Sequence, residues 1–160
     1  MKINRNLFKN KDYKLEETID FSNVSFSGSH IKKIGLSNVL VTGFDYDDYL
    51  ILNIKITSEV IGICAYTLED VPLKIKVDTS LSFTYEEEDE EVIHIDNPIF
   101  ELNPYILDLI IAEVPLRIIK KGAKLPSSGL GYRVISEDEY NKENENKTDS
   151  RWSILDDIEL

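Results

Sequence analysis

From Val71 to Tyr85 the chain alternates between an apolar and a polar parity. Val71, Leu73, Ile75, Val77, Leu81, Phe83 and Tyr85 share the first, interrupted only by Thr79. Pro72, Lys74, Lys76, Asp78, Ser80, Ser82 and Thr84 share the second. Successive side chains of a β-strand point to opposite faces, so this period predicts one long strand with one face on a core and one in water. Half-solvated strands belong to antiparallel sheets, so long partners must lie nearby. The stretch "SNVLVTGFDYDDYLILNIKIT" supplies two, meeting at the acid-rich turn Asp45–Asp48. In the second, Leu50, Leu52, Ile54 and Ile56 share a face, with Ile51, Asn53, Lys55 and Thr57 opposite.

Shorter elements complete the expectation. "YKLEETIDF" reads as a strand, and Ile61–Tyr66 as a further short one ending at the turn "TLEDVP". Residues 2–10 suit a short helix gathering Ile3, Leu7 and Phe8. The strongest helix is "ELNPYILDLIIAEVPL" at 103–114: Asn103 as N-cap, Pro104 at the first helical position, and only Asp108, Ala112 and Glu113 off the apolar face. Pro115 ends it. The Gly/Ser/Pro-rich stretch after Lys120 runs into a short strand near Tyr132–Ile135. The predicted fold class is α+β: a predominantly antiparallel sheet, with partial barrel closure one option, a buried helix near 103–114 and short terminal helices. Residues 1–137 form a single domain in this reading and 138–148 a polar flexible linker. Residues 149–160 form a docking helix carrying Trp152, Leu155 and Ile158, with Trp152 packed on this domain or on a partner.

Charge narrows the function classes. The net charge is −12, yet residues 1–60 are balanced at eight bases and eight acids, and residues 61–160 hold 10 bases against 22 acids. A chain of this kind does not coat nucleic acid non-specifically. Two basic islands break the trend. Met1–Lys14 holds Lys2, Arg5, Lys9, Lys11 and Lys14 against Asp12, and Pro115–Ile135 holds Arg117, Lys120, Lys121, Lys124 and Arg133 with no acid. They read either as surface lysines or as contacts to one anionic surface. Glu86, Glu87, Glu88, Asp89, Glu90 and Glu91 form a hydrated acidic loop; a cation site or a docking patch for a basic protein are the functional alternatives. No apolar run reaches the ~18–20 residues of a spanning helix, and the N-terminal stretch has no signal-peptide core, so a cytoplasmic protein without membrane contact is expected.

Catalytic patterns are weak. Gly129-Leu130-Gly131 lacks the Lys and Ser/Thr of a phosphate loop, and His30 and His94 show no paired zinc spacing. Cys64, the single cysteine, follows an apolar strand, where burial is expected to raise its pKa and make it a packing residue. The expectation is a protein that is not an enzyme, with no metal, cofactor or small-molecule substrate.

The order of motifs is informative in a different way. Two long strands joined by "CAYTLEDV", then "FELNPYILDLIIAEVPLRI", "SSGLGYRVISEDEY" and "KTDSRWSILDDI" resemble the YceD (DUF177) family, over roughly residues 13–158. The family signature would comprise Cys64, Thr67, Leu68, Asp149 and Arg151, with Tyr66 where arginine is usual and Ser150 where proline is usual. Residues 116–135 lack the cysteine cluster of many relatives, so the chain resembles a Gram-positive or mollicute-type member. The resemblance implies a ribosome biogenesis factor supporting 23S rRNA processing and accumulation and large-subunit assembly. Its partner would be the pre-ribosomal large subunit, through 23S rRNA or a basic ribosomal protein. Lys2, Arg5, Lys9, Lys11, Arg117, Lys120, Lys121, Lys124 and Arg133 are the candidate RNA contacts, and Glu86–Glu91 the candidate protein contact. The alternative is an acidic module that escorts a basic ribosomal protein without touching RNA.

Overall fold

A computed structural model describes residues 1–9, 13–46, 49–85 and 92–144. The alternating run is a single strand, β5 (Asp70–Thr84), paired antiparallel over its whole length with β4 (Tyr49–Ile63). β4 pairs in turn with β3 (Ile31–Asp45), and β2 (Tyr13–Asp20) lines the far side of β3. The two-residue β6 (Ile93–His94) joins β5 in parallel, giving the order β2-β3-β4-β5-β6. A separate two-stranded sheet pairs β1 (Lys2–Asn4) with β7 (Ile99–Glu101). The chain is thus mostly β, with a mixed five-stranded sheet. Partial barrel closure is not formed among the described residues, because the sheet ends in strands of eight and two residues that offer no matching edges. Of the short strand expected at Ile61–Tyr66, Ile61–Ile63 continue β4 and Cys64–Tyr66 belong to the turn that follows it.

Parity explains the core. Leu50, Leu52 and Ile54 are completely buried, and Ile54 and Ile56 face Val41 and Val39 across the β3–β4 ladder. Each such side chain contributes about 1.5–3 kcal/mol. β3 departs from strict alternation: register shifts between Ile31 and Lys33 and between Ile34 and Ser37 turn Ile31, Ile34 and Ser37 to the same side. Ser37 and Ser58 are buried on this face and satisfy one another at 2.8 Å. The opposite face carries Glu16, Asn53, Lys55 and Lys76 and is exposed.

Helix α1 (Asn103–Glu113) covers the core face. Leu102, Ile106, Ile110 and Val114, four apart, are buried, while Leu107, Leu109 and Ile111 are only partly so. The helix starts differently from the sequence expectation. Leu102 is the N-cap residue and makes no side-chain cap bond; the Oδ1 of Asn103 instead accepts from the Met1 ammonium group. Of the helix expected over residues 2–10, the described residues 2–9 form only one 3₁₀ turn, at Arg5–Leu7. β1 precedes that turn, Ile3 and Phe8 are buried, and Leu7 is exposed, because pairing with β7 satisfies this backbone better than a short Asn-rich helix would.

The chain divides into two compact units, Met1–Lys120 and Lys121–Leu160, where composition alone places the boundary at 137. In the second unit the Gly129/Tyr132 bridge closes a tight turn with Gly131 at φ 87°, and no strand forms at Tyr132–Ile135. The expected linker is helical as far as Asn144, as α2 (Glu137–Asn144). A reciprocal cap explains this: Ser136 Oγ accepts from Glu139 N at 3.2 Å, and Glu139 Oε2 accepts from Ser136 N at 3.0 Å. The segment 149–160, with Trp152, lies outside the described residues.

Candidate interaction site at the Cys64 turn

The six residues 64–69 that join β4 to β5 close on themselves through Cys64 N to Glu69 O at 2.8 Å and Leu68 N to Cys64 O at 2.9 Å. Closure puts Leu68 at φ 58°, a left-handed conformation that suits glycine or asparagine, and leaves its side chain 77% exposed. The segment that leaves α1 is stitched to this turn. Ala65 N donates to Ile118 O at 2.8 Å, and Lys120 N donates to Cys64 Sγ at 3.4 Å. Ile118 is buried over Gly62, where an added Cβ would lie 2.2 Å from Ile118 Cδ1, so glycine permits the close approach.

Side chains then lock the two segments together. Arg117 Nη2 donates to Tyr66 Oη at 2.8 Å, with its guanidinium carbon 5.2 Å from that ring's centroid. The Glu69 carboxylate accepts from Lys120 Nζ and from Thr67 Oγ1, both at 3.0 Å. Lys120 first, then Thr67, holds the Glu69 carboxyl below its ordinary pKa. Lys32 and Asp70 pair at 2.6 Å at the start of β5.

Cys64 is completely buried, as expected, but its pKa moves the other way. It is lowered to about 7, first by the Lys120 N–H, then by the Thr67 side chain, with the Thr67 and Tyr66 backbones adding to the effect; burial opposes them and loses. Thr67 thus lies against both the thiol and the Glu69 carboxylate, and its single hydroxyl proton can go to one of them at a time.

Residues 52–159 match the family described as large ribosomal RNA subunit accumulation protein YceD. The chain belongs to the YceD family. The matched segment begins within β4 and contains the Cys64 turn, β5, α1 and the stitched exit segment. YlbN, an uncharacterised protein of Bacillus subtilis (strain 168), is 24% identical over 155 residues, covering 91% of this chain and 87% of its own length. No solved structure matches.

Against this YceD framework the expected site residues scatter. Cys64, Thr67, Leu68, Arg117 and Lys120 come together at the turn. Lys2 and Lys9 are exposed in the N-terminal segment. Arg5 is not available to phosphate: it is 4% exposed, and its Nε bonds Asp45 Oδ1 at 2.7 Å. Lys121, Lys124 and Arg133 belong to the second unit, where Arg133 pairs with Glu143 at 2.7 Å. Lys11, Glu86–Glu91, Asp149 and Arg151 lie outside the described residues. Sequence reasoning missed Gly62, Glu69 and Ile118 and the pairing of Tyr66 with Arg117, because the partners are some fifty residues apart along the chain; the "TLEDVP" turn held Glu69 in view but gave no sign of Lys120. Among the described residues no three His, Cys, Asp or Glu gather as a metal site, and no helix is long and apolar enough to cross a membrane.

Proposed function

We propose that this YceD-family protein is a non-enzymatic ribosome biogenesis factor, which supports 23S rRNA processing and accumulation and large-subunit assembly by binding the pre-ribosomal particle in the cytoplasm. The observation that carries the reading is the family match, described by accumulation of large-subunit ribosomal RNA, over a segment that contains the Cys64 turn and the exit segment tied to it. That turn offers exposed Leu68, Leu116 and Ile119 beside Arg117 and Lys120. Apolar groups displayed on a rigid, hydrogen-bonded frame suit docking better than turnover. Binding to an assembly intermediate is a stoichiometric task that needs such a surface and no acid–base pair.

The test is sedimentation of a native-host lysate at low and high salt, alongside measurement of precursor and mature 23S rRNA in a strain lacking the gene. Co-migration with large-subunit precursors and a loss of mature 23S rRNA are expected. Restoration by the wild-type gene, but not by an Arg117→Glu/Lys120→Glu variant, would place the contact at the turn. Protein confined to the top of the gradient at both salts, with normal 23S rRNA in its absence, would sink the reading.

A further inference from the structure

We infer that the exposed face of the five-stranded sheet carries a stacking site for single-stranded RNA, centred on Phe44 and Tyr46 beside Lys14. The inference rests on the ribosomal reading above and names a contact surface distinct from the Cys64 turn.

The site is a shallow cavity of about 420 Å³ at the end of the β3–β4 hairpin, lined mainly by Lys14, Thr42, Phe44, Tyr46, Ile51 and Asn53. Phe44, near the end of β3, and Tyr46, just beyond it, hold ring centroids 4.7 Å apart and are 37% and 57% exposed. Part of each ring is turned to solvent beside a polar sheet, more for Tyr46 than for Phe44, and that part offers a π-face to a partner. Among the described residues Lys14 is the one charged residue that lines the cavity, in a chain with 30 acids and 18 bases. Its Nζ lies 3.9 Å from Glu16, a loose pair with both side chains more than 60% exposed, which a phosphate can displace. Thr42 brings a hydroxyl. Asn53, whose Oδ1 is taken by Ser80 Oγ at 2.6 Å, brings amide N–H donors. Aromatic faces for bases, an ammonium for the backbone and a few polar groups for base edges are what a single strand requires. A duplex keeps its bases stacked inside and could use only the lysine.

The platform is also held rigid. Arg5 bonds Asp45 through Nε and donates from Nη2 to Tyr46 O at 3.1 Å, while Tyr46 and Tyr49 exchange backbone hydrogen bonds at 2.8 and 2.9 Å. Arg5, which sequence reasoning placed against phosphate, thus holds the backbone that carries the aromatic pair. Pre-organisation lowers the ordering cost of binding.

The experiment is fluorescence anisotropy of the full chain with a labelled 12-nucleotide single-stranded oligoribonucleotide, and with the same strand annealed as a duplex, over a range of salt. Preferential binding of the single strand is expected. Phe44→Ala/Tyr46→Ala should weaken it at least tenfold, Phe44→Tyr and Tyr46→Phe should keep it, and Lys14→Gln should weaken it and flatten its salt dependence. All the substituted side chains are exposed, and circular dichroism checks that the fold is retained. Equal binding of single strand and duplex, or wild-type affinity in the double alanine variant, overturns the platform. Absence of RNA binding together with intact co-sedimentation overturns it too, leaves the ribosomal reading standing and points to a protein contact. Loss of both overturns the two together.

Discussion

Arg5 and Asp45 form an ion pair at 2.7 Å with 4% and 3% of their side chains exposed, and it ties the N-terminal segment to the end of β3. The guanidinium also lies 4.8 Å over the Tyr85 ring, and the Arg5 backbone N–H reaches Pro98 O at 2.8 Å. Truncating one partner strands a buried charge, which costs about 3–5 kcal/mol. Asp45→Ala should therefore lower the urea midpoint sharply. An unchanged midpoint would show the pair to be solvated in solution.

Gly62 and Ile118 form a second fitted contact. Gly62→Ala pushes a methyl group into Ile118 Cδ1, and overpacking of this kind costs about 1–3 kcal/mol. Ile118→Val removes the obstructing carbon and costs about 0.5–1.5 kcal/mol alone. In the double variant the two losses should be less than additive by urea denaturation. Strict additivity would mean that the exit segment does not pack here.

The Cys64 thiol makes stability depend on pH. Its folded pKa, about 7, lies below its ordinary value of 9.0. Between these values the folded state binds fewer protons than the unfolded state, so stability rises with pH through this window and is level above it; as pH falls through 7 the contribution is lost. Thermal midpoints measured from pH 6 to 9 should climb in the wild type and stay flatter in Cys64→Ala. Thr67→Val, which removes one donor to the sulfur, should move the thiolate absorbance titration upward. Parallel pH profiles for wild type and Cys64→Ala would falsify this account.

α2 depends on its cap. Ser136→Ala removes the acceptor for Glu139 N and should cost about 1 kcal/mol of helix stability, read as faster amide exchange over 137–144. The Ser136 backbone N–H, followed by its hydroxyl, depresses the Glu139 pKa, so the capping contribution is present above the ordinary carboxylate range and lost as pH falls through the folded value. Amide protection at α2 that survives acidification unchanged would contradict the reciprocal cap.

Much of the sheet was legible because its signals are local. The alternation in β5 and the Leu50–Ile56 stripe in β4 depend only on neighbours two residues apart, and both are in place. The helix at 103–114 was equally visible from its apolar spacing and its prolines. β3 was less so, since two register shifts break its parity where only pairing with β4 reveals them. The N-terminal segment misled because a three-residue strand has no periodicity, and its partner β7 lies nearly a hundred residues away. The α2 cap was readable as Ser136 followed by Glu139, but the polar composition of 137–144 obscured it.

The candidate sites divide along the same line. Sequence alone determined the strand faces, the position of the buried helix, the acidic balance and the ordered motifs of the YceD family, all properties of residue type at short spacing. The tertiary structure decided what each ionisable or reactive group does. It sealed Arg5 against Asp45, bound Lys120 to Glu69, placed N–H donors on Cys64, and left Phe44 and Tyr46 partly exposed beside Lys14. A side chain's charge is written in the chain, whereas its field, its partners and its access to water are set by residues that only folding brings within a few ångströms.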